Sequence, residues 1–306
     1  MRISLVIPVY NEQESLNEFL SRTKQALSVF QDYELIFVDD GSFDDSWKII
    51  SGFGNVNEGE KIIGLKLTRN FGHQTAVFAG LKVARFEYVG IIDADLQDPP
   101  ELLPAMCELV SSEIDIVYGK RISRNGETWF KRMSAHTFYR IFKVLTSFEI
   151  PVDTGDFRVI TKRVRDQVIL FNEHSLFLRG LFAFTGYKAI PFSYSRMERF
   201  DGKSKYNLSK MIHLASDAIL TFSEVPFKLF VKLGFILLVL AIMLSTWAIA
   251  LALRDVSSPG WLSIFTLVLF LGSLNLCFTG LIGKFVIQAL NASRGRPLYF
   301  IDKRLN

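Results

Sequence analysis

Two cysteines in 306 residues, Cys107 and Cys277, provide no disulfide framework. A strong net charge is missing too. The balance is only +4, with no basic stripe joined to a recognition motif, so a nucleic-acid partner is not expected. The clustered lysines and arginines are better matched to anionic lipid and phosphate. No secretory leader is expected at the amino terminus. Its apolar run, Ile3–Val9, contains Pro8 and passes straight into Asn11-Glu12-Gln13-Glu14 with no small-residue cleavage site. Neither G-x-G-x-x-G nor G-x-x-x-x-G-K-[ST] follows that run, which argues against dinucleotide oxidoreductases and P-loop nucleotide hydrolases.

Charge is also absent from two long stretches, Leu233–Leu253 and Gly260–Gly283. Each exceeds the roughly 20 apolar residues needed to cross a bilayer core. The alternative is a pair of buried core helices, which are rarely apolar on every side for that length. Only residues 254–259 separate the two stretches, so both outer ends must emerge on one side of the membrane. Lys228 and Lys232 precede the pair, and Lys284, Arg294, Arg296, Lys303 and Arg304 follow it. The positive-inside rule places that side in the cytoplasm. The expected layout is a cytoplasmic domain over 1–206, an amphipathic juxtamembrane helix over 207–228, a two-span transmembrane hairpin over 229–290 and a basic cytoplasmic tail over 291–306. Such a protein is integral to the cytoplasmic (inner) membrane, and a hairpin this small is suited to association with copies of itself.

Within the first domain, short apolar β-rich runs alternate with helical patterns. Ile3–Pro8, Glu34–Val38, Ile62–Leu67, Tyr88–Ile92 and Asp115–Tyr118 read as buried strands, with helices over Glu12–Val29, Asp44–Ser51, Thr75–Arg85 and Pro100–Ser111. The alternation predicts an α/β domain with a mostly parallel sheet covered on both faces. Asn11 is placed to cap the first helix, and Pro99-Pro100-Glu101 suits a first turn.

In such a sheet, ligands bind at the carboxyl ends of the strands. The loops there are Val9-Tyr10-Asn11-Glu12, Asp39-Asp40-Gly41-Ser42, Thr68-Arg69-Asn70-Phe71-Gly72 and Asp93-Ala94-Asp95-Leu96-Gln97. Asp93 and Asp95 stand one residue apart after an apolar run, so in an extended segment they share a face. Mg²⁺ and Mn²⁺ are commonly held by one or two carboxylates together with substrate phosphates. Each loop alone is an ordinary capped turn; four on one edge form a site.

Taken together, Ile7-Pro8-Val9-Tyr10-Asn11-Glu12, Val38-Asp39-Asp40-Gly41-Ser42, Arg69-Asn70-Phe71-Gly72 and Asp93-Ala94-Asp95-Leu96-Gln97-Asp98-Pro99 resemble the inverting nucleotide-sugar glycosyltransferases of GT-A fold, family 2. More narrowly, Gly155-Asp156-Phe157-Arg158, the segment Arg199–Tyr206 and the carboxyl-terminal hairpin resemble the polyisoprenyl-phosphate glycosyltransferases. These include dolichol-phosphate mannose synthases and bactoprenol glucosyl transferases. The resemblance implies that Pro8, Tyr10, Glu12 and Asp39 surround the donor nucleoside. It implies that Asp93 and Asp95, flanking Ala94, place Mg²⁺ or Mn²⁺ on the diphosphate with Gln97 nearby. Arg121, Arg199 and Lys205 would hold donor or lipid phosphate, and Asp156 would be catalytic beside Asp95, as an orienting group or a base. Its remaining alternative is a turn cap after Gly155.

The implied activity is transfer of one sugar from a UDP-sugar, glucose first, to undecaprenyl phosphate or another polyprenyl phosphate acceptor. GDP-mannose and a UDP-aminoarabinose derivative are the other donors considered, and a non-catalytic lipid- or nucleotide-binding scaffold and a transporter or flippase are the rivals from other classes, the latter poorly served by one hairpin with only Asn275 strongly polar. The processive synthases' Gln-x-x-Arg-Trp motif is missing, which disfavours chain elongation. Residues 129–147 mix aromatic and basic side chains, as an interfacial helix or as one packed on the sheet. Residues 208–222 carry apolar side chains at helical spacing and would dock the domain on the bilayer.

Overall fold

A computed structural model describes residues 1–53, 60–122, 154–171, 176–195 and 260–305, with six helical positions between 232 and 247. Residues 129–147, 199–206 and 208–222, and with them Arg199 and Lys205, lie outside the described residues, as does most of Leu233–Leu253. Two compact units divide the chain: Met1–Ala218 with Pro297–Asn306, and Ile219–Arg296.

The first unit opens with β1 (Arg2–Val9), α1 (Leu16–Leu27), β2 (Asp32–Asp39), α2 (Ser46–Gly52), β3 (Glu60–Leu67), α3 (His73–Val83) and β4 (Tyr88–Ile91). A 3₁₀ turn at Pro100–Leu102 leads into α4 (Leu103–Glu108) and β5 (Ile116–Arg121). Then come β6 (Thr154–Thr161), α5 (Lys162–Val168), α6 (Leu178–Phe184), β7 (Ala189–Tyr194) and, at the carboxyl end, β8 (Ile301–Leu305). The eight strands form one sheet in the order β7-β5-β6-β4-β1-β2-β3-β8. Its centre, β4-β1-β2-β3, is parallel throughout.

The parallel centre follows from strands buried on both faces. Residues Ile3 to Val9 are buried without interruption, the pattern of a strand covered on each side. On one face Ile3, Leu5 and Ile7 share a core with Leu16, Phe19 and Leu27 of α1, where Phe19 meets Phe37 edge-on at 6.5 Å. On the other face, α3 lies so close that a Cβ on Gly80 would stand 2.4 Å from Val6 Cγ1. Cys107 is wholly buried, and burial pushes its thiol up to about 12, so little of it is the reactive thiolate and it acts as a packing group.

The structure corrects three sequence expectations. Asn11 does not cap α1, which starts at Leu16. It sits at φ 53° and binds the next loop instead, accepting the Phe43 N–H at 2.9 Å and donating its own N–H to Ser42 Oγ at 3.0 Å. Two strands went unread, β6 and β7, and β6 runs antiparallel to both β4 and β5. Part of the expected tail is also a strand: β8 pairs antiparallel with β3, and Leu305 covers Gly64. With only Ile301 and Leu305 apolar, on either side of Asp302, Lys303 and Arg304, that segment is too short to show a period.

In the second unit, α7 (Trp261–Ser293) is a 33-residue helix. Among the described residues it is the one helix long and apolar enough to cross a membrane, through Phe270–Ile287. Ile264, Val268, Leu276, Ile282 and Val286 are exposed along it.

Candidate active site

The ends of β1, β2, β3 and β4 lie on one edge because the strands are parallel and nearly in register, with Val9 opposite Asp39 and Asp39 opposite Lys66. Their loops are then tied to one another. Asp40 accepts the Phe71 N–H at 2.7 Å and the Gly72 N–H at 2.9 Å, so the second loop holds the third. Ser46 Oγ accepts the Glu12 N–H at 3.0 Å and ties the second loop to the first. Gly41 makes the close approach possible. It has φ +69°, and a Cβ there would lie 2.4 Å from the Arg69 carbonyl carbon. Gly41→Ala should therefore lower the melting temperature and activity together. The left-handed backbone alone costs about 1–2 kcal/mol, and an unchanged melting temperature would contradict this packing.

Asp39 is fully buried. Its Oδ1 accepts the Ser42 N–H at 2.9 Å, while its buried Oδ2 meets no hydrogen-bond donor among the described residues. A dry acceptor left in this state is costly unless a ligand N–H arrives. Pro8 is buried beneath the same edge, and Tyr10 and Glu12 are half-buried beside it. The Tyr10 ring meets the exposed Phe43 ring edge-on at 6.5 Å.

After β4 the chain turns sharply. Leu96 is buried at φ 59°, a conformation costly for a leucine and often retained at functional sites. That turn folds Asp95 back so that its Oδ1 accepts the Gln97 N–H at 3.1 Å. Asp93 Oδ1 is buried without a hydrogen bond among the described residues, although His73 Nε2 lies 3.5 Å away, and Ala94 between the two carboxylates is buried. Burial pushes the Asp93 carboxyl up to about 6; His73 opposes the shift and Asp95 adds to it. Two carboxylates one residue apart, one with an unbonded oxygen, fit a divalent cation that takes its other oxygens from a diphosphate.

Asp156, at the start of β6, has both oxygens occupied. Its Oδ1 accepts Arg179 Nε at 2.9 Å, and Arg158 Nη2 stands 3.8 Å away. Its Oδ2 accepts Gln74 Nε2 at 3.1 Å and Arg179 Nη2 at 3.2 Å, with His73 Nε2 also at 3.1 Å. Burial would raise the Asp156 carboxyl, but Arg179 and His73 outweigh it and hold it well below the usual range. Burial opposes a charged His73, yet Asp93 and Asp156 together push the imidazole up to about 9. His73 thus bridges the two acidic groups as a cation.

Arg121 ends β5 and lies across Gly155, where a Cβ would sit 2.7 Å from Arg121 Nη2. Beside it, the Tyr194 hydroxyl donates to Asp98, which is buried. Asp93, Asp95, Asp156, Asp39 and Arg121 therefore all occur within the described site region. His73, Gln74, Arg158 and Arg179 join Asp156 without having been read as site residues. The available signals were the polar pair directly after Phe71-Gly72 and a single arginine inside the apolar run Leu176–Phe184.

Carboxylates at the ends of β2, β4 and β6 leave open which reaction they serve. Residues 4–169, more than half of the chain, match the model of glycosyl transferase family 2. The chain belongs to that family. A prophage bactoprenol glucosyl transferase homolog of Escherichia coli (strain K12) is 31% identical, covering 99% of each chain. The SfII prophage-derived bactoprenol glucosyl transferase of Shigella flexneri is 33% identical over 99% of this chain and 98% of its own. A glycosyltransferase of Bacillus subtilis (strain 168) described as uncharacterized is 37% identical over 99% of this chain and 94% of its own. The fold of this family 2 glycosyltransferase is the GT-A-like α/β arrangement expected from its loops.

Proposed function

We propose that this glycosyltransferase moves a single glucose from UDP-glucose to undecaprenyl phosphate, or a related polyprenyl phosphate, with inversion at the anomeric carbon and on the cytoplasmic face of the membrane. The observation that carries the reading is the Asp93–Asp95 pair on the ligand edge of the sheet in a chain that also contains a 33-residue helix apolar enough through Phe270–Ile287 to cross a membrane. Similarity over nearly the full length to bactoprenol glucosyl transferases supports glucose and the lipid acceptor.

Asp39 would accept the uracil N3–H with its unbonded Oδ2, beside Pro8, Tyr10 and Glu12. Asp93 and Asp95 would hold Mg²⁺ or Mn²⁺, with Gln97 nearby. The cation supplies stabilisation of the negative charge that grows on the departing UDP. The acceptor phosphate monoester, with a second pKa near 6, is largely ionised at neutral pH and needs little help from a base. Asp156, saturated with donors, then orients its neighbours, while Arg121, Arg199 and Lys205 contribute phosphate-binding charge.

The return of the chain to β8 supports an even number of membrane crossings, because both sequence neighbours of residues 219–296 belong to the sheet-bearing unit. We read the membrane part as a two-span hairpin within 229–290, preceded by a juxtamembrane helix over 207–228. A reporter fused after Asn306 should be cytoplasmic, and one inserted between Arg254 and Ser258 should be periplasmic. Opposite labelling would overturn the topology.

The activity itself is tested by incubating membranes with a panel of labelled nucleotide sugars and extracting into organic solvent. Label from UDP-glucose should enter the lipid phase. Label from GDP-mannose alone would replace the donor, and no lipid label from any donor would remove the transferase reading.

A further inference from the structure

Three guanidinium groups converge on Gly155 and Asp156. Arg121 lies against Gly155. Arg158 donates to the main-chain oxygens of Asp156 at 3.2 Å and Gly155 at 3.1 Å. Arg179 forks onto the Asp156 carboxylate. They are close enough that Arg179 disfavours the charged form of both others. Asp93 and Asp95 border this corner too, and with the proposed metal cation on that pair, the described residues leave three guanidinium groups facing the carboxylates of Asp156 and Asp98. Gathering like charges is unfavourable unless an anion joins them.

The three do not share equal access. Arg158 has only 5% of its side chain exposed and is covered by the Phe182 ring at 4.5 Å. The Arg179 side chain is 29% exposed. Gln74 fixes where Arg179 starts: its Oε1 accepts the Leu178 N–H at 3.1 Å, so its Nε2 must face Asp156. One amide thus secures both the first turn of α6 and the carboxylate that receives Arg179. In the proposed reaction the donor diphosphate is met by the cation on Asp93 and Asp95. The other anion is the acceptor's phosphate monoester.

We propose that Arg179, aimed by Asp156 and by the Gln74 link, seats the acceptor phosphate. This rests on the polyprenyl-phosphate reading and adds to it a residue for the acceptor. Asp156 then acts as a positioning residue for Arg179, and Gln74 as another.

The test uses full-length protein in detergent. Farnesyl phosphate binding and UDP–Mn²⁺ binding are measured by calorimetry, alongside steady-state transfer from UDP-glucose to undecaprenyl phosphate. Arg179→Gln should weaken farnesyl phosphate binding and raise the acceptor KM tenfold or more, the range expected when a charge-assisted hydrogen bond is lost. UDP–Mn²⁺ affinity should stay within about twofold. Arg179→Lys should recover part of the acceptor affinity. Gln74→Leu should raise the acceptor KM in the same direction with UDP–Mn²⁺ affinity kept. Unchanged acceptor affinity in Arg179→Gln overturns the assignment, and a parallel loss of UDP–Mn²⁺ affinity moves Arg179 to the donor phosphates and also overturns it. If Arg179→Gln fails to fold, as a lost thermal unfolding transition would report, Arg179→Lys carries the test: acceptor affinity equal to wild type overturns the assignment. Failure of the wider reading looks different: wild-type protein then transfers no sugar to lipid, while the farnesyl phosphate measurement still decides the role of Arg179.

Discussion

Asp95→Asn should lose at least about a hundredfold in turnover, together with the dependence on added Mg²⁺ or Mn²⁺. Asparagine keeps an oxygen for the Gln97 N–H that Asp95 Oδ1 accepts at 3.1 Å, so the sharp turn at Leu96 is preserved. What disappears is one of two negative charges suited to holding the cation, and with it the counter-charge for departing UDP. The fold should survive, as read by an unchanged melting temperature without metal. Full activity of the variant, or of wild type in EDTA, would refute the metal assignment. The same site has a pH signature. Burial pushes Asp93 up to about 6, and a cation needs the ionised carboxylate. Metal affinity should therefore fall as pH drops through about 6, a dependence that Mn²⁺ titrations at several pH values would show.

Asp156→Asn should reduce kcat by two orders of magnitude or more while leaving UDP and metal affinity nearly intact. The carboxylate receives Arg179, Gln74 and His73 and stands 3.8 Å from the buried Arg158. Removing its charge leaves those cations without their shared counter-ion, and breaking a buried pair from one side costs about 3–5 kcal/mol. Misplaced reacting groups alone cost about a hundredfold, so the melting temperature and kcat should fall together. The pH behaviour separates positioning from base catalysis. A carboxyl held well below its ordinary value contributes stability above its unfolded pKa and loses it only as pH falls through the lower folded value. The wild-type rate should then show no acid limb from Asp156 in the neutral range. Near wild-type turnover in Asp156→Asn would reduce Asp156 to a turn cap. Loss of activity with a shifted acid limb would make it a base.

The sheet centre is legible because β1 to β4 are largely buried and therefore appear as mostly apolar runs, interrupted only by residues such as Ser4 and Lys66, with polar residues directly after each. The same logic brings Asp39, Asp93 and Asp95 to one edge from the sequence alone. It failed for β6 and β7, where Thr154-Gly155-Asp156 and the alternately exposed Ala189–Tyr194 carry no continuous run. Asn11 misled because Asn before an acidic segment is an ordinary cap signal, whereas here it joins two loops. Arg179 and Gln74 were out of reach because they meet Asp156 across 23 and 82 residues of chain, and no local spacing encodes such a contact. Arg121 was named for phosphate by motif position, but its packing across Gly155 and closeness to Asp98 became apparent only in the fold.

The central claim is best tested with purified full-length protein in phospholipid vesicles, given labelled UDP-glucose and Mn²⁺ with and without undecaprenyl phosphate. The account predicts that label enters the organic phase only when the polyprenyl phosphate is present, as a glucosyl phosphate of anomeric configuration opposite to the donor. Retained configuration, or label that stays in the aqueous phase with the acceptor and metal supplied, would contradict it.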